Sequence, residues 1–479
     1  MLTIIVVIIY LIIMLWIGLY VSKKASSSTK DFWSAGKSVG TGINSFAIMA
    51  TIASGGTFLG SVGYILDKGM GAWFTLWAGV VVGLVFSSLF VSKALVKSGV
   101  STVPEFLYQR YDSKFVGVFT PIILTIGMIV YTMTQYVASA YIIENVLGIS
   151  YEWGLIIGAG VLILYTLFGG MHAVTLTDFF QGLMMTLIFG GLVLSVFVMI
   201  AGPWAIMNHS VELSPTMGGI TDPWITYAGA FLQNVFAWSV IPHTVMRVYS
   251  AKDTQTARRS LLWGMLISAI VVAYGGVLTA GVIVLDISYS HPDQALIYLM
   301  DAIGPVGLAL GSAAILAAIM SSTSGMLLSV SASVSQDLYK NVFKSNASDK
   351  SVIKLGRITI AIVGALTVIL AFNPPELLVS MYQLVLGFLS AGLFIPLVLG
   401  IWWKKANNTG AIWGILVGSI SYVILMFVPA LPEYSQVIIS SILCLIVTVL
   451  GGLLGNPPSE KVMQKVEYWH EDELKKEYN

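Results

Sequence analysis

Ser54, Gly55, Gly56 and Thr57 stand in the middle of an apolar run, residues 42–66, that is long enough to cross a bilayer. Each glycine lowers helix stability by about 1 kcal/mol relative to alanine. Backbone groups freed in hydrocarbon cost more, unless they line a cavity or bind something. A helix parted here ends its first half near Ala53 and turns the carbonyls of Ala50 and Ala53 toward a cation. Its second half begins near Gly55. The N–H groups of Gly55, Gly56 and Thr57, with the hydroxyls of Ser54 and Thr57, suit a carboxylate. The competing reading is a close helix crossing, which small residues also favour in membranes.

A second segment bears on that choice. Residues 317–335 read AAIMSSTSGMLLSVSASVS, with more serines than packing requires. Ala318, Ser321, Ser322 and Gly325 share one helical face, and Ser324 lies on its flank. Hydroxyls and a carbonyl form a hard-oxygen site suited to Na⁺. Back-bonding to the i−4 carbonyl accounts for one or two such serines, less well for this density. Asp178 is an acid clearly inside an apolar run, which makes it a functional candidate. Its partner is a second cation, a proton or Arg247, unless it reaches the interface and hydrogen-bonds there. His172 and His243 have no Cys or carboxylate at metal-ligand spacing, so a zinc site is not expected. His243 follows Pro242 and either lines the inner half of a solute path or packs. Gln135, Gln233 and Gln383 lie at membrane depth, facing a cavity or bonding across helices.

The elements that must hold these groups are apolar spans. Of 479 residues 57% are hydrophobic and 10% charged, well below the roughly 25% charged of soluble domains. Thirteen spans are expected: 2–20, 42–66, 71–96, 116–146, 151–170, 175–200, 223–246, 260–285, 305–335, 356–373, 377–402, 409–430 and 435–454. All Lys and Arg except Lys68 then fall in one set of loops or in the polar tail 456–479. The positive-inside rule puts the N-terminus outside and the C-terminus in the cytoplasm. Segments 201–222 and 286–304 become outer loops, with Asp222, Asp286, Asp293 and Asp301 in water. Residues 1–20 lack a basic flank and cleavage site, so they read as a retained span rather than a signal peptide.

Span seven resembles span two in being interrupted, here by Gln233, Asn234 and Pro242. The two are five spans apart and run in opposite directions. Spans 2–6 and 7–11 therefore form two inverted five-helix halves within a single transmembrane domain, 1–455, flanked by peripheral spans 1, 12 and 13. Paired broken helices of this kind point to a secondary-transporter site. No phosphate-binding loop, nucleophile elbow or paired catalytic acids appear, so enzymatic chemistry is not expected. The net charge of +1 implies no nucleic-acid partner, and the single Cys444 allows no disulfide within the chain.

DFWSAGKSVG, TVPEFLYQRYDSK, YTLFGGMHAVTLTDFFQ and AAIMSSTSGMLLSVSASVSQDLYK resemble segments of the sodium:solute symporter family. The resemblance covers nearly the whole chain. It implies an all-α, LeuT-like fold of about thirteen spans and Na⁺ as coupling ion. Carried over by position, it assigns the sodium site to the carbonyls of Ala50, Ala53 and Ala318 and the hydroxyls of Ser321 and Ser322. A second ion, Na⁺ or H⁺, would involve Asp178 and Ser324, but Gly325 stands where another hydroxyl is usual. Leu176 replaces the tryptophan common before the TD motif. IPHTVMRVYSAKD resembles the pantothenate and short monocarboxylate branch.

The expectation is a bacterial inner-membrane Na⁺ symporter importing a small monocarboxylate by alternating access. The solute would meet Ser54, Gly55, Gly56, Thr57, Gln135, Gln233 and His243. Stoichiometry matters, because 100 mV contributes about 2.3 kcal/mol per net charge moved. A tenfold Na⁺ gradient adds about 1.4 kcal/mol per ion. One Na⁺ with one carboxylate is electroneutral and forgoes the voltage term. Alternatives are a proline or sugar symporter, an H⁺-coupled symporter, a channel, and a transporter-derived solute sensor; the oligomeric state is left open.

Overall fold

The computed structural model describes the chain except residues 26–27, 201, 215–216, 374–376 and 472–479. The described residues are helical, with no strand among them. Among the described residues, nine helical segments are long and apolar enough to cross a membrane. The remaining spans are the first (Leu2–Ala25), the fifth, and the broken second and seventh. Gly69 (φ 85°) and Gly170 (φ 58°) reverse the chain between spans two and three and between spans five and six. Both adopt conformations that an L side chain resists.

Helix starts differ at the two ends of the bundle. Where spans four, eight, ten and twelve begin, Ser113, Asp253, Ser348 and Asn407 accept bonds from Val116, Thr256, Ser351 and Gly410 N–H groups. These polar caps satisfy backbone donors that would otherwise be orphaned. This is the end that carries most of the Lys and Arg residues, called the basic end below. At the far end, span nine starts with Pro305 after Gly304 (φ 121°). Span nine is then buried on all sides from Gly311 to Ala332, so its hydroxyls must find partners inside the protein.

Span two stops being α-helical at Ile52; Ala53 is extended (φ −72°, ψ 94°), and a wide-turn segment, Gly56–Gly60, restarts the chain. Span seven breaks at Ile241 (φ −62°, ψ 127°), between Trp224–Val240 and Pro242–Ser250. Proline pushes its predecessor out of the helical region, which accounts for that position. Gln233 and Asn234 do not interrupt the helix as expected. They lie inside its first half, where both of their amide nitrogens donate to Gln383 on span eleven.

Two placements differ from the charge-based reading. Arg247 is not a loop residue: the seventh span extends to Ser250 and the guanidinium is fully buried. Asp293 is not in water. Segment 286–304 folds into a turn, Pro292–Gln294, and a helix, Ala295–Ile303, and buries the Asp293 side chain completely. Its Oδ2 accepts the Leu378 N–H at the start of span eleven (2.9 Å), and its Oδ1 lies against Gly63 of span two. A Cβ at position 63 would stand 2.2 Å from that oxygen, so the seat requires glycine. Lys475 and Lys476 of the expected basic set lie outside the described residues, as do the side chains of Lys23 and Lys24.

Burial pushes the Asp293 carboxyl up to about 7, opposed by the Leu378 N–H and assisted by Asp67. A carboxyl held above its ordinary range takes up a proton on folding. The seat is therefore most stable below about pH 4 and weakens as pH rises from there to about 7. Wild-type melting temperature should fall between about pH 4 and about pH 7 and level off above, and Asp293→Asn should flatten that part of the profile. Identical profiles for the two proteins in a thermal-shift titration would count against this assignment.

Candidate functional site

The break in span two frees carbonyls, and hydroxyls from span nine reach them. Ser321 Oγ lies 2.8 Å from the Ala50 carbonyl and 3.0 Å from that of Ala318. Ser322 Oγ donates to the Thr51 carbonyl at 3.1 Å. Three of the five expected sodium ligands, Ala50, Ala318 and Ser321, thus meet in one cluster. Ser322 stands beside them on Thr51, a residue the sequence had not singled out. Ala53, the fifth, is the residue at which the helix opens, and it is 2% exposed. All these oxygens are sealed from water. A hydroxyl that donates to a carbonyl here can turn its lone pairs to a cation instead, and the carbonyl is then free for the same ion. The donor set is neutral, hard and oxygen-only, which suits a monovalent hard cation.

The restart of span two is partly self-satisfied. The Gly55 N–H donates to Gln135 Oε1 (3.0 Å). The Thr57 N–H donates to the Ser54 carbonyl and Oγ (3.0 and 3.2 Å), and the Thr57 hydroxyl to the Ile52 carbonyl (2.8 Å). The amide oxygen of Gln135 thus takes the first donor that the restart presents. The two glycines are required by packing as well. A Cβ at Gly55 would meet Ala138 and Ile319 at 2.6 and 2.9 Å, and one at Gly56 would meet the Tyr382 ring at 2.9 Å.

Tyr382 stacks on Tyr131 (centroids 5.5 Å apart), which stands edge-on to His243 (5.7 Å), itself near Trp238 (6.1 Å). Neither ring nitrogen of the fully buried His243 has a hydrogen-bond partner, nor does Trp238 Nε1. An aromatic box with unpaired donors therefore borders the break. Tyr131 and Tyr382 were missed from sequence, though Tyr131 is one helical turn from Gln135 and Tyr382 is adjacent to Gln383. Gln233 is not gathered here; its amide nitrogen bonds the Gln383 carbonyl and Oε1 (2.7 and 2.8 Å), clasping span seven to span eleven.

Asp178 is fully buried and does not reach the interface. Its Oδ2 pairs with Arg247 Nη2. The same guanidinium donates to Thr175 (3.0 Å) on span six and to Thr51 (3.2 Å) on span two. Ser324 Oγ is turned to the Ser321 carbonyl (3.0 Å). The motif glutamine, Gln181, donates to Tyr10 on span one (2.8 Å). Arg247 thus joins span six, the first half of span two and the second half of span seven beside the cation cluster.

Broken span two meets span nine at a buried oxygen cluster, and span seven is broken in the matching position, which is the arrangement of an inverted-repeat transporter fold. Solved structures share this fold. A Na⁺-coupled sialic acid symporter superposes with TM-score 0.83 at 20% identity, covering 96% of this chain and 98% of that one. Mhp1, a nucleobase-cation-symport-1 family transporter, does so with TM-score 0.62 at 15% identity, covering 91% and 98%. The sodium:solute symporter family description matches residues 32–418, and the chain belongs to that family. Similar curated relatives include the high-affinity proline transporter PutP of Bacillus subtilis, 30% identical over 86% of this chain and 89% of its own. The osmoregulated proline transporter OpuE of the same species is 29% identical over 87% of each chain. The sodium/pantothenate symporter of Escherichia coli is 28% identical over 87% of this chain and 89% of its own.

Two measurements follow. Ser321→Ala removes a hydroxyl shared by two carbonyls, and should raise the Na⁺ concentration for half-maximal uptake by about tenfold, the loss of one charge-assisted contact; unchanged Na⁺ activation contradicts the cluster. Asp178→Ala strands a buried guanidinium and should lower unfolding free energy by about 3–5 kcal/mol, with Asp178→Ala/Arg247→Met recovering most of it. Strictly additive losses in the double-mutant cycle would mean that the pair is not coupled.

Proposed function

We propose that this protein is a Na⁺ symporter of the bacterial inner membrane that imports a small solute bearing a carboxylate, by alternating access. In this reading the basic end faces the cytoplasm and the N-terminus lies outside. Na⁺ occupies the carbonyls of Ala50, Ala53 and Ala318 and the hydroxyls of Ser321 and Ser322. The single observation that carries the reading is Ser321 Oγ bridging the open end of span two and span nine. An ion there ties the two segments together and fixes the restart at Gly55–Thr57, so that Na⁺ prepares the solute site. A solute carboxylate then takes the Gly55 N–H from Gln135, as one oxygen acceptor replacing another. Ser54, Gly56, Thr57 and His243 line the same site, with the aromatic box supplying apolar contact.

We further propose one Na⁺ per cycle. Arg247 already supplies a cation to Asp178, so a second ion there would have to displace a fixed one. Release of Na⁺ to the cytoplasm loosens spans two and nine, and the solute follows.

Two solutes fit a carboxylate site. IPHTVMRVYSAKD favours a pantothenate-like monocarboxylate, and the PutP and OpuE relatives favour proline. Charge separates them. A monocarboxylate moving with one Na⁺ carries no net charge, whereas zwitterionic proline moving with one Na⁺ carries one. A potential of 100 mV then adds about 2.3 kcal/mol to proline uptake and nothing to monocarboxylate uptake. Purified protein in liposomes, given labelled pantothenate or proline at clamped potential, tests this. The expected result is Na⁺-dependent uptake of one of them, with the matching voltage response. Uptake of either without Na⁺, or of neither, contradicts the proposal.

A further inference from the structure

At the basic end, away from the transport site, a polar cavity of about 160 Å³ lies between three elements. Its lining includes Arg110, Asn407, Asn408, Asn456 and Ser459. Arg110 closes the helix Val103–Tyr111 between spans three and four, and is 1% exposed. Its Nε donates to the Gly400 carbonyl (2.5 Å) and its Nη2 to that of Trp403 (3.2 Å), capping the end of span eleven. Its Nη1 is buried and has no hydrogen-bond partner. A guanidinium with one end engaged and the other unpaired is half of a bidentate oxyanion site.

Two helix N-termini supply the rest. Span twelve, Asn408–Met426, starts at the cavity behind its cap Asn407. The helix Glu460–His470 starts there behind Ser459, whose side chain makes no cap bond. The first turn of each helix leaves N–H groups without helical partners, and both dipoles present their positive ends. Asp112 also lines the cavity at its exposed rim, and its carboxylate is a charge that a bound anion has to face. Burial pulls the Arg110 guanidinium below its ordinary range, a desolvation that a bound anion would offset.

We infer that this cavity binds one phosphate-type oxyanion, held by Arg110 Nη1 and the two helix starts. The shared chemistry is a tetrahedral phosphate, supplied either as free inorganic phosphate or as the headgroup of an anionic lipid. Bound there, it joins the Val103–Tyr111 helix, the end of span eleven, the start of span twelve and the Glu460–His470 helix.

The test uses the full chain in detergent, titrated with inorganic phosphate against chloride of equal ionic strength, and read by melting temperature and ³¹P line width. Asn408→Asp puts a negative charge at the mouth of the cavity. It leaves Arg110 untouched, and an acid at a helix start favours the fold. Arg110→Gln is the second variant. Wild type should show a saturable response that both variants weaken by about tenfold or more. If Arg110→Gln does not fold, Asn408→Asp decides alone. The lipid arm compares vesicles of phosphatidylcholine with vesicles containing phosphatidylglycerol, by retained adducts in native mass spectrometry. Adducts of phosphatidylglycerol on wild type but not on Asn408→Asp, without a phosphate response, assign the site to lipid. A wild type that answers phosphate no differently from chloride and retains neither lipid preferentially overturns the inference, as does Asn408→Asp behaving like wild type.

Discussion

A serine hydroxyl placed between two main-chain carbonyls holds this transport core together. Ser321 Oγ touches Ala50 on a helix that has stopped and Ala318 on a helix that continues. The restart requires glycine, since Gly55 and Gly56 are pressed against Ala138, Ile319 and Tyr382 with no room for a Cβ. A carbonyl released at this depth has no water to fall back on. It needs a hydroxyl or an ion, and the same oxygen can serve either. In the proposed function, exchange between those two partners makes the site sensitive to sodium without any charged ligand.

A fully buried charge pair lies beside this cluster rather than in it. Arg247 and Asp178 are both fully buried and neutralise each other, while Thr51 and Thr175 accept further guanidinium donors. Thr51 belongs to both systems: its carbonyl takes Ser322 and its hydroxyl takes Arg247. Movement of the first half of span two therefore disturbs the ion cluster and the charge pair together. In a low-dielectric interior neither member of the pair can be left alone cheaply. That couples the basic-end halves of spans two and seven.

Much of the candidate site was legible because it is written in residue types that membranes otherwise avoid. Adjacent glycines at Gly55 and Gly56, and serines at 321 and 322, announce a break and its partners before any fold is known. Proline at 242 likewise marks the second break to within one residue. What escaped sequence reasoning was pairing across distance. Gln233 looks like a site residue until Gln383, 150 positions away, is seen to hold it. Arg247 is among the three partners that the sequence offers Asp178, yet it also counts as a loop cation, and only the extension of span seven to Ser250 decides between those places. Asp293 reads as a solvated acid because nothing local shows that its turn folds against Gly63 and Leu378. Tyr131 and Tyr382 are ordinary aromatic residues in sequence, and only their stacking gives them a place beside Gly56.

The central claim is that sodium takes over carbonyls that serine hydroxyls otherwise satisfy. An experimental map of the protein in sodium, compared with one in choline, tests it directly. In sodium, an ion should lie among Ala50, Ala53, Ala318, Ser321 and Ser322, and the 2.8 Å contact from Ser321 Oγ to the Ala50 carbonyl should lengthen as both oxygens turn to it. A map in sodium that keeps this contact intact, with the ion bound elsewhere or absent from this cluster, would contradict the account.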